Sequence, residues 1–155
     1  MELSWIEAGV LAASSIPVSE ADIRSLHNQG IRAIVSLIEY PLTHFSELPD
    51  SLFEALNITY YHSPIPDQHA PELTQAQDIV RFIQTMREQQ RPVLVHCHAG
   101  IGRTGTILRA YYLTQGYRLE EAAHLVRQRR PQCILLSEEQ TEFLRRFVIT
   151  TGSLR

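Results

Sequence analysis

The short apolar run PVLVH at 92–96 enters a glycine-containing turn, and helical spacing resumes on the far side of it. A run so continuous suits a central strand covered on both faces, whereas a strand open to water on one side alternates polar with apolar residues. Strand, tight turn and helix in succession form the repeating unit of layered α/β folds. That unit limits what the chain can become more than any overall statistic does.

The rest of the chain repeats the alternation. Ser19 stands three residues before Asp22 as a helix cap, Ile23 and Leu26 follow, and Asn28-Gln29-Gly30 ends that helix. IRAIVSLI at 31–38 and ITYYH at 58–62 read as strands, with a short helical candidate, SLFEALN at 51–57, between them. The loop SPIPDQHAPE at 63–72 carries three prolines and is expected to be ordered without being helical. Over 74–89, Ala76, Ile79, Val80, Ile83 and Met86 recur at helical spacing, and further helices are predicted over 105–115, 120–130 and 137–149. The expectation is an α/β fold of three layers: a single domain over 1–155 with a mostly parallel central sheet flanked by helices. Its ligand site should lie outside the carboxyl ends of the strands.

Composition narrows the chemistry. With 155 residues and 44% hydrophobic content, the chain can bury one core. A net charge of −3 argues against nucleic acid as the main partner, because affinity for a phosphate backbone rests on concentrated positive charge. All 14 basic residues are arginine, which removes a lysine nucleophile, a Schiff base and a P-loop lysine. The opening MELSWIEAGV has two glutamates and no basic region, unlike a signal peptide, and no apolar run nears the roughly 20 residues of a membrane span. A cytoplasmic monomer without membrane contact is expected. Two cysteines, Cys97 and Cys133, make no disulfide framework.

The turn itself, VHCHAGIGRTGT at 95–106, fits two patterns. From Gly100 it is a literal G-x-G-x-x-G, but a dinucleotide turn belongs in the first strand-turn-helix unit, with an acidic residue about 20 positions later ending the next strand. Here the turn follows the last strand, and Glu120 and Glu121 open a helix instead. From Cys97 the pattern explains more. Backbone N–H groups of the turn from His98 through Ala99, Gly100, Ile101 and Gly102, with the following helix N-terminus, would cradle a tetrahedral dianion. Those groups would push the thiol toward thiolate, from near 8.5 to roughly 4 to 7. Arg103 supplies a planar fork for two phosphoryl oxygens, and Thr104 offers a hydroxyl to the sulfur. Asp67, thirty residues before Cys97, follows the YYH strand on a proline-stiffened loop that ends beside the same sheet edge. It is the candidate general acid, and as carboxylate the base for water in the second step.

HCHAGIGRTG resembles the signature loop of the cysteine-dependent protein tyrosine phosphatases, H-C-x-x-G-x-x-R-[ST]-G, at every fixed position. WIEAGVLAAS, GIRAIVSLIE, IPD and RRPQC resemble the small atypical dual-specificity phosphatases, so the likeness spans nearly the whole chain. The resemblance implies a phosphocysteine intermediate, no metal and no cofactor, an aspartate acid at the place of Asp67, and phosphorylated protein or peptide substrates. It also implies that His96 orders the loop through hydrogen bonds. Gln140 resembles a water-positioning glutamine, with a helix-surface residue as the plainer reading. Glu39 either orients Arg103 or is a solvated strand-end charge. His98 is read as a rim side chain. Cys133 is expected to be an inert small hydrophobe rather than a trap for oxidised Cys97, and the arginines at 127, 129, 130, 145 and 146 to line solvated helix faces. Phosphoinositide phosphatases of the superfamily carry lysines in this loop where His98 and Ile101 stand, which disfavours lipid substrates. RNA 5′-phosphatase activity finds little support in the acidic balance, and a phosphate-binding module without catalysis usually lacks one of the three residues kept here.

Overall fold

The computed structural model describes residues 1–152, with side chains through 148. Its elements in chain order are β1 (Ser4–Glu7), β2 (Leu11–Ser14), α1 (Glu20–Asn28), β3 (Ala33–Ser36), α2 (Asp50–Ala55), β4 (Thr59–His62), α3 (Leu73–Glu88), β5 (Val93–His96), α4 (Gly102–Thr114), α5 (Leu119–Arg129) and α6 (Glu138–Gly152). The five strands form one sheet in the order β1-β2-β5-β3-β4, parallel throughout except for the β1 edge, so the mostly parallel sheet is as expected. The run PVLVH occupies its centre.

Alternation along the central strands divides the core in two. Leu11, Ala13, Ala33, Val35, Val93 and Val95 pack on one face with the apolar sides of α3, α4, α5 and α6. Ala12, Ile34 and Leu94 point the other way, against Ile23 and Leu26 of α1 and Leu52 and Phe53 of α2. This makes three layers. The parallel register brings Ser14, His96, Ser36 and His62 into one row at the carboxyl ends of their strands. Apolar strands thus stop in step at a polar edge, and the loops that follow them meet there.

Ser19 caps α1 as expected, accepting the Asp22 N–H at 3.1 Å. The pair β1 and β2 is an addition to the sequence reading, joined through Gly9 at φ +71. The helix predicted from 105 begins instead at Gly102. The reason is packing: a Cβ at Gly102 would stand 3.0 Å from Leu136 Cδ1, and one at Gly105 only 2.7 Å from Arg109 Nη1 and 3.2 Å from Cys133 Sγ. Both glycines admit neighbours to a buried helix instead of breaking it. No helix among the described residues is long and apolar enough to cross a membrane.

Candidate active site

The turn between β5 and α4 is held open by what surrounds it. The His98 carbonyl accepts the Ile16 N–H at 2.9 Å, the Ala99 and Gly100 carbonyls accept Arg130 at 3.4 and 2.9 Å, and the Ile101 carbonyl accepts the Gly105 N–H at 2.9 Å. Every peptide among the described residues is trans, so each N–H lies opposite the carbonyl of its own peptide group. Four consecutive carbonyls held on the outside therefore turn the amides of Ala99, Gly100, Ile101 and Gly102 to the inside. Among these residues only Gly100 has a left-handed backbone, at φ +72, so the curl rests on one glycine and not on Gly102 as well.

Arg130 overturns its expected place on a solvated face: it is 3% exposed. Its Nε donates to Gly100 and its Nη1 to Ser4 Oγ at 2.9 Å, which ties the phosphate-type turn to the start of β1.

Cys97 is buried at the mouth of the turn, and Thr104 Oγ1 donates to its Sγ at 3.1 Å. His96 lies beneath, wholly buried, between Ser36 Oγ at Nε2 and the Cys97 carbonyl, 2.9 Å from Nδ1. Burial lowers its pKa to about 4; the bond to the Cys97 carbonyl opposes this, and Arg103 and His62 add to the lowering. The ring is neutral at pH 7, so Nδ1–H donates to the carbonyl while Nε2 accepts from the serine. An unfolded imidazole protonates below about 6.5, the folded one only near 4, so stability is complete above pH 6.5 and lost as pH falls toward 4. A full shift of this kind accounts for about 3 kcal/mol. Thermal melts between pH 7 and 4.5 should fall less steeply for His96→Asn than for the wild type, and equal slopes would refute the assignment.

Arg103, 3% exposed, is aimed by three groups from two loops. Nη1 donates to Glu39 Oε1 at 2.6 Å and to the Ile65 carbonyl at 2.8 Å, and Nη2 lies 3.5 Å from Asp67 Oδ1. Glu39 thus touches Arg103, as its orienting reading requires, while its side chain stays 52% exposed. Slight burial pushes the Glu39 carboxyl up, but the hydrogen bond from Arg103 and further bonds and charge outweigh it, and the group ends below its ordinary range. Asp67 is on the water side, its side chain 66% exposed. Gln140, read as a water-positioning or surface residue, is fully buried: Oε1 accepts the Leu136 N–H at 2.8 Å and Nε2 donates to the His69 carbonyl at 3.3 Å. His98 is exposed at the rim. Cys133 is buried, its thiol donating to the Ile101 carbonyl at 3.4 Å, and burial pushes its pKa up to about 11 despite Arg109 and Arg130. It therefore stays a neutral thiol, in keeping with the inert reading.

The structure thus gathers Cys97, Arg103, Thr104, Asp67 and Glu39 around one concave turn. A nucleophilic sulfur, inward amides, a guanidinium and a carboxylic acid are together able to carry phosphoryl transfer. Sequence reasoning missed Ser36, Arg130, Ser137 and Glu139, which act through contacts remote in sequence.

Residues 8–117 match a family described as Tc-R-P: polymorphic toxin system, DSP-PTPase phosphatase. The dual specificity protein phosphatase Mpk3 of Drosophila melanogaster is 36% identical over 96 residues, covering 61% of this chain and 23% of that protein. Protein tyrosine phosphatase domain-containing protein 1 of Mus musculus is 33% identical over 166 residues, covering 91% of this chain and 22% of that protein. The chain spans less than a quarter of the length of these curated relatives. Among solved structures, the active form of Tk-PTP superposes with a TM-score of 0.81 at 31% identity, covering 95% of this chain and 96% of that one. The fold, the cysteine turn and these similarities lead to one conclusion: the chain belongs to the cysteine-dependent protein tyrosine phosphatase superfamily, among its small dual-specificity members.

Proposed function

We propose that this chain hydrolyses phosphate monoesters on proteins or peptides, with tyrosine and serine or threonine esters both accepted, through a phosphocysteine. The observation that carries the reading is the meeting of Cys97 Sγ with the Thr104 hydroxyl at 3.1 Å inside a turn whose carbonyls are held outward. Cys97 attacks phosphorus as the bond to the leaving oxygen breaks, and Asp67 gives that oxygen its proton. Water then attacks phosphorus, Asp67 takes up a proton, and the sulfur departs as an anion that accepts the Thr104 hydrogen bond. Arg103 and the turn amides hold the equatorial oxygens throughout, where charge concentrates in the transition state. Glu39 holds Arg103 through Nη1, and Gln140 packs beside the turn at Gly102. Two unpaired cysteines favour a reducing compartment such as the cytoplasm, and the acidic balance favours protein over nucleic acid as partner.

Turnover of p-nitrophenyl phosphate should persist in EDTA and be inhibited by vanadate. Acid quenching during steady state should trap phosphate on the Cys97 peptide. Turnover that needs added metal, or label found on another residue, would end the proposal.

A further inference from the structure

The loop that carries Asp67 is tied at both ends. From α3, Gln75 Nε2 donates to Ser63 Oγ at 3.0 Å and to the Pro64 carbonyl at 2.9 Å. From the turn that opens α6, Ser137 Oγ donates to the Gln68 carbonyl at 2.6 Å, and Gln140 Nε2 donates to that of His69. The Ala70 N–H donates to Glu139 Oε2 at 2.6 Å, and the same oxygen lies 3.1 Å from His69 Nδ1. The three residues after Asp67 are therefore each held by a different side chain of one short segment. Gln68 itself has φ +64, a conformation that non-glycine residues adopt only when neighbours hold it there. The same segment abuts the cysteine turn, because Leu136 and Gln140 occupy the space a Cβ at Gly102 would take.

We infer that Ser137 and Glu139 are positioning residues that fix the reach of Asp67 toward the leaving group, a statement that rests on the proposed function. A general acid works only within hydrogen-bond reach of the oxygen it protonates, and small displacements cost large factors. Neither Ser137 nor Glu139 contacts Cys97, Arg103 or Thr104 in the bonds described above, so loosening them moves the acid and spares the nucleophile. Each bond is partly exposed, with Glu139 49% and His69 57% exposed, so removing two together is the stronger perturbation.

Loss of the acid has a signature that general damage lacks. A good leaving group such as p-nitrophenolate departs with little help, whereas phenolate needs the proton. The value of kcat/KM, which reports the steps through phosphoenzyme formation, should be measured over a series of aryl phosphates from p-nitrophenyl to phenyl. For Ser137→Ala/Glu139→Gln it should fall about tenfold on phenyl phosphate and less than about twofold on the p-nitrophenyl ester. Asp67→Asn should show the same steepening with a loss of roughly 100-fold at the phenyl end. Equal losses across the series in the double variant, alongside a steep series in Asp67→Asn, overturn the positioning role alone. Equal losses in Asp67→Asn overturn the acid assignment and this inference with it. If the pair unfolds, Ser137→Ala alone must still steepen the series for the inference to stand.

Discussion

Cys97→Ser is expected to lower turnover of p-nitrophenyl phosphate by roughly 10⁴-fold or more while inorganic phosphate still binds. The two effects separate because different atoms produce them. In the proposed mechanism binding belongs to the amides of the turn and to Arg103, whose supports lie outside the exchanged atom: Arg130 and Ile16 on the turn carbonyls, Glu39 and Ile65 on the guanidinium. In that mechanism attack belongs to the sulfur, and a serine hydroxyl in its place stays protonated at neutral pH. Thr104 would then meet an oxygen where it now meets Sγ at 3.1 Å, without restoring a nucleophile. Initial-rate assays paired with calorimetric titration by phosphate read both quantities on one preparation. A serine variant that keeps more than about a tenth of wild-type turnover would place the nucleophile elsewhere.

Gly100→Ala should be the most damaging single methyl in the molecule. A left-handed backbone at φ +72 costs an alanine about 1–2 kcal/mol by itself. The added carbon would also stand 2.4 Å from the Ser14 carbonyl oxygen and 2.6 Å from Arg130 Nη2. The first neighbour is backbone in a central strand and cannot swing aside. The second can move only by giving up its carbonyls, which frees the turn to rotate its amides away. We expect a loss of roughly 3–5 kcal/mol, near 10 °C in melting temperature, with phosphate affinity reduced as well. An alanine variant that melts within about 2 °C of the wild type and keeps its kcat/KM would show that the curl does not depend on this residue.

How much of this was legible in the chain depended on distance along it. Cys97, Arg103 and Thr104 share one turn, so their relation was written in local spacing. Ala76, Ile79, Val80, Ile83 and Met86 all lie buried along α3, because a one-sided helix announces its face by period. The strands β1 and β2 gave no such signal. β2, Leu-Ala-Ala-Ser, carries no β-branched or aromatic residue, whereas the equally short β3 and β5 carry two β-branched residues each. Arg130 was the clearest misreading. It ends a helix amid other arginines, and nothing nearby reveals that it returns to a turn thirty residues earlier. Glu39 and Gln140 were left open for the same reason, since their partners, Arg103 at the start of α4 and His69 on the loop after β4, lie far from them in sequence. Asp67 escaped that fate because the strand before it already pointed to the shared edge.

Every side chain from Gly102 to Leu113 is buried, so α4 presents no face to water along that length. A typical amphipathic helix offers a sequence somewhere to drift, at the positions turned outward. This one offers none, and the reactive turn is covalently continuous with it. Divergence among descendants of this chain is then expected at outward-facing positions elsewhere, such as the outer sides of α1, α3, α5 and α6, while the stretch from Gly102 to Leu113 stays nearly frozen for packing reasons that would hold even if the chemistry were lost.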